Sequence, residues 1–198
     1  MGGWLKGRIE QEQTMNENNT NSNPVTNYDR ESYILVVDDD QTLLKFFKIH
    51  LNKFFSRVIV VKNVKEAIAT LQEKQIDLVI SDIRMPKTTG LQLIRKVRNH
   101  DPSIPIFLIS GALLSDEQMM EVDTYADAFL KKPFSVDELH AFIVKGLSYR
   151  ETYKKMEKII DNKKFFTDFV KRKNKLEEIK DEAKRTQVVE LYTQLKAS

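Results

Sequence analysis

The sequence predicts an α/β fold built on a five-stranded parallel sheet, and three observations carry that prediction. Between residues 33 and 149, short branched apolar runs alternate five times with longer segments of helical period. The runs are nearly continuous in apolar character, as strands buried on both faces require, instead of alternating as half-exposed strands do. At 198 residues and 41% apolar, the chain can also bury one sizeable core, with appendages.

The elements follow in order. Residues 1–31 are rich in Asn, Gln, Glu and Thr and poor in branched apolar residues, so they are expected to form a disordered leader. Strands are predicted at 33–37, 57–61, 78–81, 104–110 and 128–131, and helices at 41–55, 64–74, 90–99, 115–125 and 135–149. Leu43, Leu44, Phe47 and Leu51 give the first helix its apolar stripe. Asn99 and Pro102 end the third helix, and Ser135 caps the fifth, with Glu138 three residues on completing a capping box. Residues 32–149 thus form the globular domain, and 150–198 a helical extension. Leu139, Phe142, Gly146, Tyr149, Tyr153, Met156 and Ile160 follow steps of three and four, a short heptad seam that runs out of the fifth helix. That seam predicts a coiled coil and a homodimer through helix five and the tail.

Composition excludes several classes. The absence of cysteine removes disulfides, thiolate metal sites and cysteine nucleophiles, and suits a reducing cytoplasm. No apolar run approaches the ~18 residues of a membrane span, and Lys6 stands where a myristoylation signal after Gly2 needs Ser or Thr. No membrane association is expected. The net charge is +3, but residues 150–198 hold 14 Lys or Arg against 9 Asp or Glu, so the basic excess is all in the tail. A mixed-charge helix is usually a solvated face, and a nucleic-acid-binding tail is the weaker reading.

Chemistry concentrates where strands end. Asp38 and Asp39 close the first strand, Asp82 the third and Ser110 the fourth, and Lys132 follows the fifth. Ligands of open parallel sheets bind outside the carboxyl ends of strands, at the switch point in strand order. The order 2-1-3-4-5, borrowed from flavodoxin-like folds, puts that point between strands one and three. Carboxylates gathered there raise each other's pKa unless a cation neutralises them, which implies a hard divalent ion such as Mg²⁺. Asp39 and Asp82 can ligate it directly and Asp38 can hold a water. Lys132 offers a point charge to a phosphoryl group and Ser110 a hydroxyl donor. Positioning and charge neutralisation are most of what phosphoryl transfer needs, and a carboxylate such as Asp82 can form an acyl phosphate.

These residues resemble the response-regulator receiver family of two-component signalling. The resemblance rests on Ile34-Leu-Val-Val-Asp38-Asp39, Ser81-Asp82-Ile83-Arg84-Met85-Pro86, Ile109-Ser110-Gly111 and Lys132-Pro133-Phe134, in that order. It implies that Asp82 is the phosphoacceptor, with Lys132 and Ser110 assisting, and that a histidine kinase or phosphotransfer protein is the donor. It further implies that the main-chain carbonyl of Arg84 joins the metal ligands and that the Lys132-Pro133 bond is cis. Ser110 and Phe129 would be the switch pair, and helix four, strand five and helix five the readout face. Such a domain is regulatory, catalysing only its own phosphorylation and dephosphorylation. The sequence departs from the family's pattern at Lys87, Thr88 and Thr89, where an acidic residue is more usual. Ala112, two residues after Ser110, cannot orient a water, which predicts slow self-hydrolysis of the acyl phosphate.

Two rivals compete. Asp38-x-Asp40-x-Thr42 also fits the first motif of haloacid-dehalogenase-type phosphatases, with Asp38 as nucleophile, Asp40 as acid or base, and Ser110 and Lys132 as later motifs. That reading needs an acidic pair beyond the lysine strand and leaves Asp82-x-x-Met85-Pro86 unexplained. A flavin site would need a phosphate-cradling Ser or Thr cluster after strand one, and there is none. His50, His100 and His140 show neither metal spacing nor a phosphotransfer motif.

Overall fold

The computed structural model describes residues 31–86, 89–160, 166, 168–170 and 179–197. The predicted leader, residues 87 and 88, and much of the linker after Ile160 lie outside these residues. Five strands, β1 (Tyr33–Val37), β2 (Arg57–Val61), β3 (Leu78–Asp82), β4 (Ile106–Ser110) and β5 (Ala128–Lys131), pair in parallel in the order β2-β1-β3-β4-β5. Six helices are described: α1 (Gln41–Leu51), α2 (Val64–Glu73), α3 (Gly90–His100), α4 (Asp116–Tyr125), α5 (Val136–Ile160) and α6 (Glu182–Ala197).

Successive strand residues point to opposite faces, and the core divides accordingly. Ile34, Val36, Ile80, Phe107 and Ile109 pack under α1 and α5, while Leu35, Val37, Val79 and Leu108 pack under α2, α3 and α4. Helix starts are chemically defined. Asp40, Asn63, Thr89 and Ser115 each accept backbone N–H groups as N-caps, and Ser115 with Gln118 forms a reciprocal capping box. The predicted Ser135–Glu138 box is present, with Ser135 N–H donating to Glu138 Oε2 at 2.7 Å and Glu138 N–H to Ser135 Oγ at 3.1 Å.

Two boundaries differ from expectation. α1 stops at Leu51, not at 55, because the chain tightens into turns in which Phe54 and Phe55 N–H both bond to the Leu51 carbonyl. Phe55 reaches the core from that turn, so the apolar spacing continues past the helix. β4 begins at Ile106, not at 104, because the Ile104 carbonyl is taken by the Arg98 guanidinium at 2.6 Å and Pro105 brings no N–H to a ladder.

The larger departure is α5, which runs through the expected boundary at 149 to Ile160. Its heptad residues Leu139, Gly146, Tyr149, Tyr153 and Met156 are buried within this one chain. Gly146 lets α5 approach the sheet closely, since a Cβ would lie 2.7 Å from Leu78 Cδ1 and something would have to shift. Val188 and Leu195 of α6, with Phe166, Phe169 and Val170, join the same core as α1 and α5. Rings connect the sheet to the tail: Phe107 lies against Phe142 and Tyr149, Tyr149 against Tyr153, and Tyr153 against Phe166. The seam expected to join two chains therefore packs within one chain, on the sheet at Gly146 and Tyr149 and against Phe166 at Tyr153.

Polar groups fasten the extension across the amino ends of the strands. Arg150 Nη2 meets Asp101 Oδ2 at 2.9 Å, Lys154 Nζ meets Asp77 Oδ1 at 3.2 Å, and Asp77 Oδ2 accepts the Tyr33 N–H at 3.0 Å. Burial would raise the Asp101 carboxyl, but Arg150 and the Ser103 donors outweigh it and hold it below its ordinary value. Deeper in, Tyr153 donates its hydroxyl to Asp127 Oδ1 at 2.6 Å, while Asp127 Oδ2 accepts the Ile106 N–H at 2.8 Å and pairs with Arg98. Burial first, then the Asp127 charge, push the Tyr153 phenol well above its usual range, so it stays a donor.

Candidate functional site

The parallel register brings the carboxyl ends of β1, β3, β4 and β5 to one edge. β1 and β3 are adjacent with α1 leaving on one side and α3 on the other, which is the reversal point of the sheet. Asp38 is 3% exposed there, and its Oδ1 accepts the Asp40 N–H at 2.9 Å. Asp82, the last residue of β3, accepts the Arg84 N–H on Oδ2 at 2.5 Å. α3 starts so close that a Cβ on Gly90 would sit 2.2 Å from the Asp82 carbonyl oxygen, so only glycine fits that position.

Lys132 unites the two carboxylates. Its Nζ is 2.9 Å from Asp38 Oδ2 and 2.6 Å from Asp82 Oδ1, across 94 and 50 residues of sequence. The Lys132-Pro133 peptide is cis, as the resemblance implies. Lys132 N–H also bonds to the Ser110 carbonyl at 2.9 Å, joining the ends of β4 and β5. Burial alone would depress the Lys132 ammonium, yet the hydrogen bonds and charges of the two carboxylates raise it. Burial lifts the Asp38 carboxyl above its ordinary value in spite of Lys132 and the Asp40 N–H. Two enclosed carboxylates thus share one ammonium and remain short of positive charge.

Of the expected site residues, Asp38, Asp82 and Lys132 meet directly. Asp39 is exposed beside them, and among the described residues no three acidic or histidine side chains are placed to hold a metal together. Ser110 is buried at the end of β4, where its Oγ accepts the Ala112 N–H at 3.2 Å, so its hydroxyl is engaged by its own loop. Phe129 is half-buried against the α2, α3 and α4 face. Arg84, two residues after Asp82 and so at a position that by resemblance tunes dephosphorylation, donates from its guanidinium Nη2 to the Leu113 carbonyl at 2.8 Å. Asp40 accepts the Thr42 and Leu43 N–H groups at 2.7 and 3.2 Å, which occupies as a helix cap the residue the phosphatase reading needs as acid or base.

Comparison with known proteins agrees with this fold. The chain is 34% identical over 110 residues to the sensory transduction protein BceR of Halalkalibacterium halodurans, covering 56% of this chain and 47% of that protein. It is 30% identical over 118 residues to the transcription factor SKN7 of Saccharomyces cerevisiae, covering 60% of this chain and 19% of that protein. The chain therefore spans less than half the length of these curated relatives. Among solved structures, the chemotaxis protein CheY4 of Vibrio cholerae superposes with a TM-score of 0.55 at 27% identity, over 59% of this chain and 99% of that one. A receiver domain protein of Clostridium thermocellum superposes with a TM-score of 0.57 at 25% identity, over 61% of this chain and 97% of that one. These matches do not favour the phosphatase alternative. The response regulator receiver domain matches residues 34–144, more than half of the chain, and the protein belongs to that family of regulatory domains.

Proposed function

We propose that Asp82 is a phosphoacceptor that takes its phosphoryl group from the phosphohistidine of a sensor kinase or phosphotransfer protein. The observation that carries this reading is the single Lys132 ammonium held by both Asp38 and Asp82 at the switch point of the sheet. In the transfer, an Asp82 carboxylate oxygen forms the new O–P bond while the N–P bond of the donor breaks and the imidazole leaves. Lys132 is placed to follow the charge from the carboxylate to the incoming phosphoryl oxygens. Ser110, released from the Ala112 N–H, supplies a hydroxyl donor, and Phe129 follows it inward. The face made by α4, β5 and α5 then changes its presentation.

The donor set that fits a divalent cation is the pair of buried carboxylates, Asp38 and Asp82, which share one ammonium; Asp39, exposed beside them, would have to turn inward to join. Asp38, Asp39, Asp82 and the main-chain carbonyl of Arg84 would hold Mg²⁺, which keeps several waters and needs only one or two carboxylates. When bound, it supplies charge neutralisation to the acyl phosphate and the donor phosphate. The protein catalyses only its own phosphorylation and dephosphorylation, in the cytoplasm where kinases have ATP.

A homodimer through α5 and the tail gains little support from the heptad seam, of which Leu139, Gly146, Tyr149, Tyr153 and Met156 are buried within one chain and only Phe142 and Ile160 are half-buried; we assign the tail to the chain's own core. Incubation with acetyl phosphate, followed by intact-protein mass, tests the reading. A phosphoryl adduct that forms with Mg²⁺ and fails to form when chelator is present from the start is expected; an adduct indifferent to divalent cation would overturn the metal assignment.

A further inference from the structure

A second concavity lies at the opposite edge of the sheet from Asp82, at the amino ends of the strands. There α2 and α3 both end, and α5 passes them with Arg150 and Lys154, leaving a cleft of about 420 Å³. Small-molecule sites run from roughly 300 to 1,000 Å³. The floor is apolar, made by the buried Leu71, Ile76 and Ile104. Arg150 and Lys154 stand past residue 144, where the match to the receiver domain stops, so one wall of the cleft exists because α5 continues.

Cations and acids balance at this cleft. Lys74, Arg150 and Lys154 stand against Glu73, Asp101 and the Asp77 that pairs with Lys154. The two inner acids are already filled and leave no room for a metal ion. Asp101 Oδ1 accepts the Ser103 N–H at 2.9 Å and the Ser103 hydroxyl at 2.6 Å, and its Oδ2 takes Arg150 Nη2 at 2.9 Å. Asp77 accepts the Tyr33 N–H on Oδ2 at 3.0 Å and Lys154 on Oδ1 at 3.2 Å. A bare anion is disfavoured as well, because two helix C-termini meet here and their carbonyl ends carry partial negative charge.

Two needs of opposite sign stay unmet among the described residues. The Arg150 side chain is 9% exposed, and its Nε is buried without a hydrogen bond, Asp77 Oδ1 lying 3.6 Å away and too far for one. A buried donor left unfilled marks a missing acceptor. At the end of α2, the Leu71, Gln72 and Glu73 carbonyls accept no hydrogen bond from a described residue, and the exposed Glu73 side chain forms no ion pair with one. Lys74 is engaged elsewhere, 5.9 Å from the centroid of the Tyr33 ring. A molecule that carries both charges on an apolar body meets both needs and covers the floor.

We propose that this cleft binds a small zwitterion, an α-amino acid or dipeptide with an apolar side chain. Its carboxylate lies against Arg150 and Lys154, its ammonium against Glu73 and the α2 carbonyls, and its side chain on Leu71, Ile76 and Ile104. Neither end depends on Asp82. Because α5 supplies one wall and α2 the other, the bound molecule fastens the extension to the domain, and its occupancy stabilises the folded chain by mass action.

The test is calorimetric titration of the full chain with L-leucine and with L-leucyl-L-leucine. Each is run beside its C-terminal amide, which lacks the carboxylate, and its desamino counterpart, which lacks the ammonium. One of the two parents is expected to bind saturably and at least about tenfold tighter than either of its counterparts, and the tighter parent distinguishes an amino acid from a dipeptide. Lys154→Met should weaken that parent about tenfold without weakening its amide, and Glu73→Gln should weaken it without weakening the desamino counterpart. Both side chains are exposed, so the variants are expected to melt close to wild type by circular dichroism. Should either variant melt early, the wild-type comparison of parent with counterparts still decides. Two parents that do not bind, a counterpart that binds as tightly as its parent, or well-folded variants that leave the parent's affinity unchanged would overturn the site.

Discussion

Replacing Tyr153 by Phe asks whether the extension beyond 149 is part of the domain or an appendage. The substitution keeps the ring against Tyr149 and Phe166 and removes only the hydroxyl that donates to Asp127 at 2.6 Å. Both partners are enclosed, the Asp127 side chain being fully buried and Tyr153 2% exposed. A hydrogen bond to a buried charge contributes roughly 1.5–3 kcal/mol, and Asp127 retains Arg98 and the Ile106 N–H, so a loss of about 2 kcal/mol is expected. With a urea m-value of about 2 kcal/mol/M for a domain of this size, the midpoint should fall by about 1 M. The assay is urea unfolding followed by far-ultraviolet and near-ultraviolet circular dichroism, with the whole signal moving in one transition. A midpoint shift below about 0.3 M, or an early transition that melts helix while the sheet persists, would refute the reasoning.

Further outcomes are expected. Gly146→Ala gains about 1 kcal/mol of helix propensity but presses a Cβ onto the buried Leu78, an overpacking that costs about 1–3 kcal/mol, so thermal unfolding should show a net loss of about 0–2 kcal/mol; a clear gain would mean that α5 can lift off the sheet without cost. Gly90→Ala places its Cβ against the Asp82 backbone, where nothing flexible can yield, and should cut the labelled fraction more than it lowers the melting temperature. The Asp101 carboxyl is held below its ordinary value, so its contribution is complete above the unfolded value of ~3.9 and is lost as pH falls through the folded one; Asp101→Asn should therefore narrow its stability deficit relative to wild type between pH 6 and the acid limb, and a constant deficit would contradict the sign. Ala112→Glu should shorten the lifetime of the phosphorylated form, followed as decay of the adduct after donor removal, and an unchanged lifetime would count against a water-orienting role at that position.

The sheet is legible in the sequence because its information is local. β1, β2 and β5 lie where branched apolar runs meet turn residues, and Asp38, Asp82 and Lys132 stand at run ends, so their convergence follows from topology alone. What escapes a reading of the sequence is carried by contacts between distant positions. Nothing near Arg98, Asp127 or Tyr153 announces that they meet in the interior, and nothing near Arg84 announces Leu113. The heptad seam does mark a packing surface, but a repeat of apolar residues does not say whose helix covers it; here Val188 and Leu195 of the same chain belong to that core. Asp39 illustrates the converse limit, because adjacency to Asp38 puts it in the acidic set while the alternation of side chains leaves it in solvent.

The central claim is that the enclosed carboxylate of Asp82, bridged to Asp38 through Lys132, is where phosphate is received. The most direct measurement is chemical: treat the full chain with acetyl phosphate and Mg²⁺, reduce the acyl phosphate with borohydride, and read the modified position by peptide sequencing. Conversion of residue 82 to homoserine, absent without the phosphodonor, is the predicted result. Reduction at residue 38, or at neither, would contradict the account.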